Sequence, residues 1–119
     1  MAEIRWRAPA PIRQWITDEL DRGRRTGDVW SSLERAHIVS QSWAWKHSKI
    51  HAAMLGTAIR ERDRHETIGQ LIRLVVAAPG SLTDRYPTGN TGRSSMALMA
   101  TAPVPDDLAA VPGSANLGG

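Results

Sequence analysis

The chain has 119 residues, room for one domain with a modest core. It contains no cysteine, which excludes disulfides, thiolate catalysis, zinc fingers and iron–sulfur clusters, so any metal must be held by His, Asp, Glu, Met, backbone or water. A formal charge of +3 comes from thirteen arginines and two lysines scattered along the chain. Their one tight cluster, "RGRR" at 22–25, sits beside the acidic "DELD" at 18–21, so no basic stripe recommends nucleic acid as a partner.

No apolar run approaches membrane-spanning length and no secretory h-region is present, so the expectation is a cytoplasmic protein with no membrane segment. Hydrophobic periodicity is helical throughout, with no alternating strand pattern. The first helix is predicted to begin at Pro11, to present Ile12, Trp15, Ile16 and Leu20, and to end near Gly23. Asp28 reads as the N-cap of a second helix carrying Val29, Leu33, Ala36 and Ser40, with His37 beside them. A short break is expected at 42–44.

The third helix offers Ile50, Met54, Leu55, Ala58 and Ile59. Asp63 caps a fourth, whose apolar stripe is Ile68, Leu71, Ile72 and Val75 and which is predicted to stop before Pro79 and Gly80. In Asp63-Arg-His-Glu66 the spacing is that of a capping box, so Glu66 is expected to reach back to the start of that helix, with His65 on the surface. Beyond it, "PGSLTDRYPTGNTGRSS" is turn chemistry, with "YPTGNTGR" at 86–93 a rigid turn. The division expected is a single helical domain over 1–93 and an extended or disordered tail over 94–119.

Five tryptophans and no phenylalanine make Trp15 and Trp30 the expected bulk of the core, while Trp43 and Trp45 flank the turn between the second and third helices. An offset of 35 residues superposes Asp28 on Asp63, Leu33 on Ile68, Ala36 on Leu71 and Ser40 on Val75. The second unit resembles a tetratricopeptide repeat, with Leu55–Gly56 early, a turn at Arg62–Asp63 and Pro79 at the end. The expected fold class is therefore all-α: four helices in two stacked antiparallel hairpins, tetratricopeptide-like or a four-helix bundle, followed by a loop-rich C-terminal segment.

The chemistry-bearing residues sit at the hairpin of the second and third helices. Glu34-Arg-Ala-His37 is an E-x-x-H element whose two side chains lie on neighbouring turns of one helical face. His47 and His51 form H-x-x-x-H, the spacing by which a helix presents two imidazoles to one ion. The glutamate of an H-E-x-x-H protease motif is replaced by Ser48, and the second E-x-x-H of a di-iron bundle is absent. Folding the hairpin about Trp43 sets His37 level with Ile50, one residue from His51. Glu34, His37, His47 and His51 are thus the candidate ligands, and Gln41 is a candidate to orient an imidazole from behind. The donor set suits a divalent transition metal: Zn, Co, Ni, Cu or Fe. An open coordination position would make the protein a small metalloenzyme.

The elements "LERAH", H-x-x-x-H leading to "ML", "GQLIRL", "GNTG" and "APVPDDL", in that order, resemble a small bacterial family known only as a domain of unknown function. The resemblance spans about residues 10–108. It implies that His37, His47, His51, Gly69–Gln70 and Gly89–Gly92 belong to one shared pattern, and it implies no activity. The alternative to metal binding is a tetratricopeptide-like interaction module, with the concave faces of the first and third helices gripping a peptide or protein partner. A homodimer with histidines of two chains around one ion is a further arrangement of the metal reading.

Overall fold

A computed structural model describes residues 7–82, 90–93 and 100–111, the side chains of 76–82 excepted. The described residues are helical with no strand: α1 (Ala10–Thr26), α2 (Val29–Ser40), α3 (Ala44–Arg60), α4 (Arg64–Leu82) and the short α5 (Asp106–Ala109). Each of the first three helices packs against the next, and α5 packs against α2. The expected all-α array of antiparallel hairpins is the observed fold.

The core lies between α1, α2 and α3. Ile12 and Ile16 of α1 meet Leu33, Ala36 and Val39 of α2 and Ile50 and Met54 of α3, with Trp43 closing the turn. Trp15 and Trp30 pack on this cluster from its margin, and Trp45 points to solvent.

Gly23 does not end α1. It sits inside the helix, where a Cβ would lie 2.4 Å from Ser32 Oγ, so its missing side chain lets α1 and α2 touch. The helix ends instead at Gly27, whose φ of 80° is the left-handed cap glycine adopts without strain. Across the same contact Ser32 Oγ donates to the Glu19 carbonyl at 2.6 Å. The Glu19 carboxylate accepts from Arg22 at 2.6 Å and from Arg35 at 2.7 Å.

Two expectations for the fourth helix are overturned. It runs through Pro79 and Gly80 to Leu82, although an internal proline loses one backbone hydrogen bond and crowds the preceding turn. Its apolar stripe is also turned outward. Ile68 is 60% exposed, Leu71 49%, Ile72 55% and Val75 76%, whereas Glu66, Gln70 and Arg73 are buried. The register is set by polar contacts on the α3 side, where Gln70 and Glu66 have hydrogen-bond partners that no apolar residue would supply.

Much of the predicted loop, 83–89 and 94–95, lies outside the described residues, as do 96–99 and 112–119 of the predicted tail. The remainder of that tail is ordered against the bundle. Leu108 is fully buried and Val111 is 5% exposed, both within the core cluster, and Asp107 accepts from Arg35 of α2 at 2.5 Å. Among the described residues no helix is long and apolar enough to cross a membrane.

Candidate metal centre

His37 projects from the last turn of α2, and His47 and His51 from the first two turns of α3. The connection is tight: Trp43 N–H donates to the Ser40 carbonyl, and Trp43 then begins α3. The antiparallel return brings the three rings to centroid separations of 4.6, 4.8 and 4.9 Å. Their Nε2 atoms converge. His37 and His51 are 2.9 Å apart, His37 and His47 3.1 Å, and His47 and His51 3.2 Å. Metal–imidazole bonds of about 2.0–2.1 Å at tetrahedral angles place neighbouring nitrogens about 3.3 Å apart, close to this triangle.

The opposite edges of two rings determine what those nitrogens carry. His37 Nδ1 lies 2.7 Å from the Asn90 carbonyl oxygen, which can only accept, so Nδ1 holds the proton. His51 Nδ1 lies 2.7 Å from Gln70 Oε1. The Gln70 amide cannot be turned over, because its Nε2 donates to the Gly92 carbonyl at 2.6 Å and to Glu66 Oε2 at 3.1 Å, both acceptors. His51 therefore also carries its proton on Nδ1. In their neutral forms His37 and His51 aim bare nitrogen lone pairs at each other across 2.9 Å.

Two bare lone pairs at this distance repel unless a cation lies between them. A proton is a poor one here. Burial, and then the neighbouring His47 and His51, push His37 well below the usual imidazole range. Burial holds His51 down at about 4. His47 Nε2, if protonated, can donate toward His37 and His51 at 3.1 and 3.2 Å, but it leaves their own lone pairs facing each other. The three Nε2 atoms together form a donor set that could hold one metal ion.

The support behind the rings comes from α4 and residues 90–93. Asn90 Nδ2 donates to the Ala100 carbonyl and its Oδ1 accepts from Gly92 N–H, so this stretch is folded on itself. Gly92 has φ +83°, and a Cβ there would lie 2.6 Å from the His37 ring, so only glycine fits against the imidazole. Arg93 then binds Glu66 of α4, pairs with Glu34 of α2 at 3.3 Å and stacks 3.7 Å over the Trp30 ring. Asp63 Oδ1 accepts from Glu66 N–H as a cap should, but the Glu66 carboxylate is turned to Gln70 and Arg93, correcting the expected return to the helix start.

Among the described residues His37, His47 and His51 form a group of potential ligands whose donor atoms all lie within 4.8 Å of one another. Glu34 is not in that group; its carboxylate faces Arg93, and burial raises its pKa. Gln41 is fully buried at the end of α2, while the amide that the described bonds place behind an imidazole is that of Gln70. His65 is exposed, as expected. Reasoning from spacing alone missed Gln70, Asn90, Glu66 and Arg93 as the support behind the histidines. The "GQ" and "GNTG" elements contain Gln70 and Asn90, and no local pattern pointed to the others.

Comparison with curated proteins and with solved structures finds no match to this chain. A family model does match residues 12–111, from the core isoleucine of α1 to the last described residue after α5. The chain belongs to DUF3703, a family of proteins of unknown function.

Proposed function

We propose that this is a metal-binding protein whose ligands are His37, His47 and His51, taking one divalent transition ion per chain. The observation that carries the reading is the pair of bare Nε2 lone pairs 2.9 Å apart, each ring fixed in that tautomer by a carbonyl-type oxygen on its other edge. Ligand imidazoles ordinarily have their second nitrogen hydrogen-bonded in this way, which orients the ring and favours the neutral form a metal needs. Nitrogen donors suit Zn, Co, Ni, Cu and Fe, and the choice among them is left to coordination geometry and supply. Glu34 serves as a charge partner of Arg93 rather than as a ligand.

The test is elemental mass spectrometry on untagged protein purified without chelator, beside melting curves of the stripped protein with each metal restored. One ion per chain and a higher melting temperature are expected, since an ion bound only to the folded state stabilises it. His47→Ala should lose both effects. If no metal raises the melting temperature, and Ala at His37 and His51 is tolerated, the reading fails and the interaction-module alternative takes its place.

A further inference from the structure

The three histidines are only 2–5% exposed, so an ion reaches their Nε2 atoms only when part of the fold moves aside. The helices that carry the rings are the costly parts to move, since α2 and α3 hold continuous backbone hydrogen bonds and pack on each other. Residues 90–93 are fastened differently, through side chains of two helices. The Asn90 carbonyl accepts from His37 of α2, and the Gly92 carbonyl accepts from Gln70 of α4. Gly92 is also pressed against the site. A Cβ there would lie 2.6 Å from His37 Cδ2 and 2.9 Å from His37 Nε2, so this backbone covers the ring edge that bears the converging nitrogen.

Arg93 is the outermost of these fastenings. Gly92 is buried, whereas the Arg93 side chain keeps a quarter of its surface in solvent. Its guanidinium joins both helices: it binds Glu66 of α4, pairs with Glu34 of α2 at 3.3 Å and lies 3.7 Å over the Trp30 ring. None of its described contacts is to a histidine.

We propose that residues 90–93 are the gate of the histidine site, with Arg93 the latch whose release lets an ion in and out. This rests on the metal reading proposed above. Because the latch binds Glu34, Glu66 and Trp30, it holds the gate with or without an ion. Weakening it raises the rates of uptake and release by the same factor and leaves affinity nearly unchanged. A residue that supports a ligand acts otherwise: its loss weakens binding, as the Gln70 amide behind His51 should show.

Cobalt(II) gives both rates, since its visible spectrum changes on binding. Metal-free protein is mixed with Co(II) in a stopped-flow cell to measure uptake, and the loaded protein is mixed with excess EDTA to measure release. Arg93→Gln should speed both by about tenfold or more, the scale of one hydrogen bond between charged groups. Arg93→Lys keeps a cation between the two glutamates and should exchange more slowly than Arg93→Gln, which separates the latch from a general folding defect. The Gly92 amide, which donates to Asn90 Oδ1, should exchange hydrogen faster in metal-free Arg93→Gln than in the parent. Unchanged uptake and release in a variant that still binds one cobalt per chain would overturn the gate. Faster release alone, with affinity falling by the same factor, would overturn it too, because Arg93 would then be a support of the ligands. Failure of the parent to take up cobalt would instead refute the metal reading, while hydrogen exchange at Gly92 would still report whether Arg93 holds the stretch closed.

Discussion

Gln70 lies at the centre of the polar interior because its amide has two distinct ends. Its oxygen takes the His51 proton, and its nitrogen donates to Gly92 and Glu66, so one side chain joins α3, α4 and the 90–93 stretch. Gln70→Leu removes these bonds while keeping an apolar body of similar size. It should reduce metal affinity about 10–100-fold, the range seen for partners behind metal-bound histidines, as measured by competition with a chelator of known affinity. The histidines also make the metal-free protein sensitive to acid. His51 titrates at about 4 in the fold against 6.5 for the free group, so between those values the unfolded chain binds more protons. Stability is then complete above about pH 6.5 and falls as pH drops toward 4, by about 3 kcal/mol from His51 alone. His37 is depressed in the same direction and adds to the loss. Urea melts of metal-free protein across this window should show the decline, and His51→Gln should flatten it.

At the scale of elements, α4 is turned inside out relative to a surface helix. Glu66, Gln70 and Arg73 are buried, and Ile68, Leu71, Ile72 and Val75 face outward. The hydrophobic gain from burying four aliphatic side chains is opposed by the cost of leaving the buried His51 Nδ1–H without Gln70, about 1–3 kcal/mol, and the half-buried Arg93 guanidinium without Glu66. Ile72→Gln and Val75→Gln should therefore change stability by no more than about 0.5 kcal/mol, the usual range for exposed positions. Ile12→Ala, at a fully buried position of α1, should cost about 2–5 kcal/mol. Denaturant midpoints for the three variants distinguish this register from one with the stripe buried.

For the whole molecule, Leu108 and Val111, beyond the fourth helix, are part of the core. Leu108 has no exposed surface, and α5 is tied to α2 through Asp107 and Arg35. Leu108→Ala should cost about 2–5 kcal/mol, as much as a change in the first helix. The same molecule-wide closure applies to the site. Residues 90–93 are separated from His37 by more than fifty positions, yet they supply the oxygen that orients its ring. Loss of Leu108 should for that reason lower the melting temperature of metal-free and metal-loaded protein alike, a comparison calorimetry makes directly.

The sequence by itself determined the first four helices, their order and the three histidines that meet, because hydrophobic periodicity and i, i+4 spacing are local properties written in neighbouring residues. E-x-x-H and H-x-x-x-H place their side chains on one face of any helix, and a hairpin turn at Trp43 suffices to oppose them. Glu34 shared that face with His37 but was drawn to Arg93, a partner 59 residues away that no local pattern reveals. Periodicity also located the stripe of α4 without saying which way it faces, since apolar residues recur at the same helical spacing whether their face points inward or outward. Only the tertiary structure decided that direction, because the partners that hold Gln70 and Glu66 inward come from α3 and from residues 90–93. The protonation of the rings was decided there too, by a backbone carbonyl and an amide oxygen brought in from distant parts of the chain.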